Sequence, residues 1–159
     1  MENFSGRLIC KVDDNYNTPV NGWEDILQFV KKDTPLWLPF YNDGAAKELL
    51  QGLGYTDVLH EDKDFFTYYE NDRILIDNPP FSLKRVVIDY AWEKKKPFCL
   101  LLPLDTLERK YFKKYVKGLQ IIIPAKRYSY TDDKVSPPFK SVWFCWGMNI
   151  QNNEMMIFL

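Results

Sequence analysis

An α/β fold, with a single doubly wound, mostly parallel sheet, helices on both faces and an antiparallel edge strand, is predicted by three features of the sequence. From residue 35 onward, strand-like apolar runs alternate with helical stretches. The runs "RILI", "FCLLL" and "QIII" are nearly continuous in bulky apolar residues, the pattern of strands buried on both faces rather than on one. A length of 159 residues suits one substantial core and is short for two, so one domain is expected over 1–159.

The opening, "MENFSGRLICKVDDNYNTPV", has little periodicity and reads as an extended arm with turns. In "NGWEDILQFVKK", Trp23, Ile26, Leu27 and Val30 recur at helical spacing, with Asn21 as the expected cap and Pro35 as the stop. "PLWLPFYNDG" reads as a short strand and turn, and "AAKELLQGLG" as a helix with a glycine-rich end. A second strand and an acidic loop follow in "YTDVLHEDKDFF", and a third, stronger strand in "NDRILIDNPPFS". "LKRVVIDYAWEKKK" is helical and "PFCLLLP" is a fourth strand. "DTLERKYFKKYVKG" looks helical, while "LQIIIPAKR", "FKSVWFCWGMN" and "EMMIFL" read as later strands or a packed tail. "YSYTDDKVSPP" is short enough to be a single surface loop.

Charge is distributed unevenly. Residues 1–80 carry 7 Lys/Arg against 15 Asp/Glu, and residues 81–159 carry 14 against 7. This suits a basic face for a polyanion, drawn from Lys94 to Lys96 or from Arg109, Lys110, Lys113, Lys114 and Lys117, and it equally suits a solvated helix face. Five tryptophans, ten tyrosines and eleven phenylalanines supply core and stacking surface. Cys10, Cys99, Cys145 and the lone His60 lack metal-ligand spacing, so no metal is expected; Cys99 and Cys145 read as buried free thiols, and His60 as packing. No apolar run is long enough for a membrane span and no secretory signal is present, so a soluble intracellular protein with no membrane partner is expected.

The stretch that carries chemistry is "ILIDNPPFS". Asn78 follows the third strand directly, and Pro79 and Pro80 stiffen the backbone beyond it. Held rigidly, the Asn78 amide oxygen and the Pro79 carbonyl are two acceptors for the hydrogens of an exocyclic amine. An aromatic amine is a poor nucleophile because its lone pair is delocalised into the ring. Two acceptors favour the geometry and charge that develop as it attacks an electrophilic methyl group. Phe81 would stack on the base. The competing reading is a plain strand-to-helix turn, with Asn78 capping the helix and Phe81 anchoring it.

Asn78, Pro79, Pro80 and Phe81 resemble the fourth motif of the amino-group DNA and RNA methyltransferases, especially the adenine-N6 enzymes: Asp or Asn, two prolines, then an aromatic. The resemblance continues upstream. Tyr16, Thr18 and Pro19 are similar to a segment that helps cover S-adenosylmethionine. "LPFYNDG" keeps Phe40, Asp43 and Gly44 of the glycine-rich cofactor turn; it departs at Leu38, where an acid is common, and at Asn42, where a glycine is common. Asn42 is expected to take left-handed geometry, with Asp43 compensating for the missing acid. "HEDKDFF" resembles the acidic position after the second strand, which implies Glu61 or Asp62 at the ribose hydroxyls and Asp64 and Phe65 near the cofactor's adenine.

The resemblance implies a Rossmann-like methyltransferase fold and transfer of a methyl group from S-adenosylmethionine to adenine N6 in DNA or RNA. So small a chain implies target recognition through a homodimer, a partner subunit or a structured substrate. Two other readings stay open: a catalytically inactive methyltransferase-like subunit that binds nucleic acid or scaffolds an active partner, and methylation of a protein glutamine amide, whose NH2 would use the same two acceptors.

Overall fold

The computed structural model describes residues 17–130 and 139–159. Tyr16 and Cys10 lie outside the described residues, as does most of the "YSYTDDKVSPP" loop.

Among the described residues, seven strands form one sheet: β1 (Leu36–Trp37), β2 (Val58–Leu59), β3 (Ile74–Asp77), β4 (Phe98–Pro103), β5 (Leu119–Ile123), β6 (Ser141–Trp146) and β7 (Met156–Phe158), in the order β2-β1-β3-β4-β6-β5-β7. β2, β1, β3 and β4 pair in parallel. β6 runs antiparallel to both β4 and β5, and β7 is parallel to β5. The mostly parallel, doubly wound sheet is as expected, with one difference in position. The antiparallel strand was expected at an edge and instead lies inside the sheet, because β6 returns to fill the gap between β4 and β5. There both of its faces are covered, and Val142, Trp143, Phe144 and Cys145 are fully buried.

Helices α1 (Val20–Leu27) and α2 (Ala45–Gly52) cover one face, burying Trp23, Ile26, Leu27 and Leu50 against Leu36, Leu38, Ile76, Cys99 and Trp143. Helix α3 (Lys84–Lys94) covers the other, where Val87, Ile88 and Ala91 meet Leu75, Phe98, Leu100 and Phe144. The alternation along each strand is the period-2 pattern of a sheet: Leu36 and Leu38 face α1 and α2, and Trp37 faces the α3 side. Cys99 and Cys145 are free, buried thiols opposed across β4 and β6.

Two helical expectations are corrected. Pro19, not Asn21, occupies the N-cap position of α1, and the helix stops at Leu27, well before Pro35; its last carbonyls are closed by tighter bonds, Phe29 N–H to Ile26 and Val30 N–H to Leu27. "DTLERKYFKKYVKG" forms two short 3-10 turns, Leu104–Glu108 and Lys110–Tyr115, rather than an α-helix. Arg109 between them is extended, with φ −74 and ψ 135. Aromatic residues are weak helix formers, and Phe112 and Tyr115, spaced by three, both reach the core from the second turn.

Candidate functional site

The parallel strands β1, β2, β3 and β4 end on one side of the sheet, the side on which open α/β sheets bind ligands. Two loops meet there: Leu38–Gly44 after β1, and Asn78–Pro80 after β3.

Asp77, the last residue of β3, joins them. One carboxylate oxygen accepts the Phe40 N–H at 2.7 Å and the other accepts the Asn78 N–H at 2.8 Å. The side chain is 4% exposed. Burial pushes its pKa up to about 7, against the pull of the two N–H donors, which favour the ionised form. A single carboxylate therefore sets the position of the cofactor-type turn relative to the amine-type turn. Asp77 precedes the Asn78-to-Phe81 tetrad, and nothing local in the sequence marks it, since its partner Phe40 is 37 residues away.

Beyond Asp77 the chain forms a 3-10 turn, Phe81–Leu83, and then α3. The N-cap positions of these two elements are Pro80 and Leu83. Asn78 thus stands outside both N-cap positions. It is half-buried between buried Asp77 and buried Pro79 and Pro80. Phe81 is half-buried and meets Phe139 edge-on at 5.1 Å.

In the first loop, Asn42 has φ 50 and Gly44 has φ 80, so the left-handed geometry expected of Asn42 is present. Asp43 accepts the Ala45 N–H at 3.0 Å, closing the turn into α2, and accepts a 2.9 Å hydrogen bond from the Asn17 amide. These two donors, Ala45 first, hold its carboxyl below the ordinary range. The Asn42 amide donates in turn to Asn17 Oδ1. Asn17, between the predicted residues Tyr16 and Thr18, is therefore what ties the upstream segment to the turn. Thr18 is buried at the entry to α1, and Pro19 caps that helix. An Asp43→Ala variant is expected to melt about 2–4 °C lower, through loss of the turn bond. It is also expected to bind S-adenosylmethionine more weakly by titration, and unchanged binding would remove Asp43 from the cofactor site.

The acidic segment separates into three parts. Glu61 is exposed and ion-paired to Lys63 at 2.5 Å, and Asp62 is exposed. Asp64 Oδ1 caps its own turn through the Phe66 N–H at 2.9 Å. Phe65 is 4% exposed and packs among Trp37, Phe40 and Tyr90. Glu61 and Lys63, with Trp37, Pro39, Leu59 and Tyr68, line a shallow surface depression. The left-handed turn at Asn42 and Gly44 and the flanking Asp43 are the residues that could hold a cofactor at this end of the sheet.

Among the described residues no cluster of His, Cys, Asp or Glu is placed to hold a metal ion, and no helix is long and apolar enough to cross a membrane. No family model and no curated protein matches the chain. Among solved structures, the 23S rRNA methyltransferase ErmE is similar, with a TM-score of 0.55 at 12% identity over 83% of this chain and 69% of that one. Likeness at that identity is likeness of fold: the sheet described above shares its Rossmann-like arrangement with that enzyme.

Proposed function

We propose that this chain, on its methyltransferase fold, transfers a methyl group from S-adenosylmethionine to adenine N6 in DNA or RNA, working as one domain over 1–159. The observation that carries the reading is the Asp77 bridge, which holds the glycine turn and the Asn-Pro-Pro-Phe turn against each other at the carboxyl ends of β1 and β3. When bound, S-adenosylmethionine supplies an electrophilic methyl group. Asn78 and the Pro79 carbonyl accept the two hydrogens of the adenine amine and orient its lone pair. Phe81 stacks on the base, which a duplex presents only when flipped out and a single strand presents at lower cost. Asp43 and the left-handed Asn42 and Gly44 shape the turn beneath the cofactor.

Titration of the purified protein with labelled S-adenosylmethionine, with S-adenosylhomocysteine as competitor, tests the cofactor half. Saturable, competed binding followed by transfer to adenine-containing DNA or RNA is the expected result. A folded sample that binds none of the cofactor overturns it and favours the second reading, an inactive subunit that binds nucleic acid or scaffolds an active partner. One observation leans that way: Leu38, where the resembling family often has an acid, is fully buried and offers the cofactor no carboxylate.

Substrate binding has its own test. Arg109 and Lys84 pair with Asp105, and Lys114 pairs with Asp89, whereas no ion pair engages Lys110, Lys113 or Lys117 among the described residues. All three are exposed. Reversing their charges is expected to weaken nucleic-acid binding and to reduce the slope of log affinity against log salt by roughly 2 to 3 if all three meet phosphates. An unchanged slope reduces that run to a solvated face. Target selection beyond the phosphates is assigned to a second copy of this chain or to a partner subunit.

A further inference from the structure

His60 is the chain's single histidine and stands just past the carboxyl end of β2, 6% exposed. Its Nδ1 lies 2.7 Å from the Leu38 carbonyl oxygen. A carbonyl oxygen only accepts, so Nδ1 carries the hydrogen, and in the neutral ring Nε2 is then a bare lone pair. That Nε2 is buried and has no hydrogen-bond partner. A buried acceptor in this state has lost its hydration with nothing in return, and it calls for an explanation.

Tyr41 covers it. The tyrosine ring stacks on the imidazole with centroids 4.9 Å apart and planes 29° apart. The same ring lies over the left-handed turn: a Cβ placed on Gly44 would stand 2.6 Å from the Tyr41 hydroxyl oxygen and 2.7 Å from Cζ. One half-exposed side chain therefore fills both the space above the glycine and the space beside the histidine. Glycine is the residue that lets a ligand approach the backbone closely, and here the chain's own aromatic ring takes that approach. Glu61 and Asp62, by contrast, are exposed, and Glu61 is already paired with Lys63.

We infer that Tyr41 keeps the seat of a nucleoside, and that once its ring swings out, Nε2 of His60 accepts a hydrogen bond from a ribose hydroxyl. This rests on the cofactor reading above and deepens it, moving the ribose contact from the exposed acids to a buried ring nitrogen. A hydroxyl is the matching chemistry: it donates one hydrogen to one lone pair.

With only one histidine present, the imidazole 15N spectrum reports on His60 alone. Adenosine, 2′,3′-dideoxyadenosine and S-adenosylmethionine are each titrated into the full chain, with binding followed in parallel by calorimetry. Adenosine and S-adenosylmethionine are expected to move the Nε2 resonance upfield, and dideoxyadenosine to leave it in place. Saturation by S-adenosylmethionine with the resonance unmoved overturns the His60 contact and leaves the cofactor reading standing. A resonance that moves with adenosine, while S-adenosylmethionine fails to bind, supports the contact and overturns the methyl donor. Binding of neither overturns both. Tyr41→Ala is expected to tighten adenosine binding several-fold, since no ring has to be displaced. His60→Phe is expected to weaken adenosine binding about tenfold and to leave dideoxyadenosine unchanged. His60→Gln, which keeps an acceptor, is expected to recover part of that loss.

Discussion

An Asn78→Ala variant is expected to lose methyl transfer by roughly 100-fold or more while keeping cofactor affinity and melting temperature close to wild type. The separation follows from where the residue is held. Its main-chain N–H bonds Asp77 Oδ1 at 2.8 Å, a contact that alanine retains, so the backbone of the turn keeps its place while the amide and its own contacts are lost. The prolines after it and the 3-10 turn beyond them do not depend on that amide for capping, because Pro80 and Leu83 hold the cap positions. The loss belongs in kcat rather than in cofactor binding, since the two acceptors matter most when the amine's lone pair leaves the ring. Asn78→Asp keeps an acceptor at the same point and is expected to retain part of the rate. Single-turnover transfer to an adenine-containing oligonucleotide, with cofactor affinity measured alongside, checks both variants; an undiminished rate in the alanine variant removes Asn78 from the mechanism.

Asp77 carries the second large effect, and it is dependent on pH. Burial raises its pKa to about 7. An unfolded aspartate releases its proton near the ordinary value of roughly 4. Between those limits the folded chain holds a proton that the unfolded chain does not, so stability falls as pH rises through that window and levels off above about 7. Three units correspond to a loss on the order of 4 kcal/mol. The ionised form is also the one that best receives both N–H groups, so transfer is expected to rise through about pH 7 even as the fold loses stability. Asp77→Asn abolishes both trends. Its single carbonyl oxygen accepts one N–H and its NH2 faces the other, so the two turns lose half of the bridge, and a rate about tenfold lower at pH 8 is expected. Melting temperatures from pH 5 to 8, with kcat over the same range, measure both effects. A wild-type melting temperature that does not change across that range overturns the account of a buried carboxyl held against its ionisation.

Much of this was legible in the sequence because it is local. The apolar runs that became β3, β4 and β5 announce buried strands by composition alone, and the Asn78-to-Phe81 tetrad is contiguous. The left-handed Asn42 was also readable, since asparagine beside an Asp-Gly pair is a turn signal in its own right. What escaped is set by register and order across the sheet. Asp77 becomes a bridge only because β1 and β3 pair with Leu36 opposite Ile74, which brings Phe40 to its carboxylate. Asn17 gains its role from a loop 26 residues away. The run from Asp105 to Gly118 carries helix-forming residues, yet its aromatics are drawn to the core from a backbone that breaks at Arg109. Tertiary burial prevailed there over a weak local preference.

The insertion of β6 between β4 and β5 also governs the order in which the molecule can be made. Both neighbours precede β6 in the chain, so each leaves the ribosome with a strand edge that nothing yet covers. Those edges belong to Phe98–Pro103 and Leu119–Ile123, whose residues are all buried in the finished sheet. β7 in turn has only β5 to pair with. Nascent chains that have not yet reached residue 146 therefore expose two adhesive apolar strands, the kind of species that recruits chaperones or aggregates. Closure of this half of the sheet is one late, long-range event, and slow maturation is the kinetic mark to expect of it.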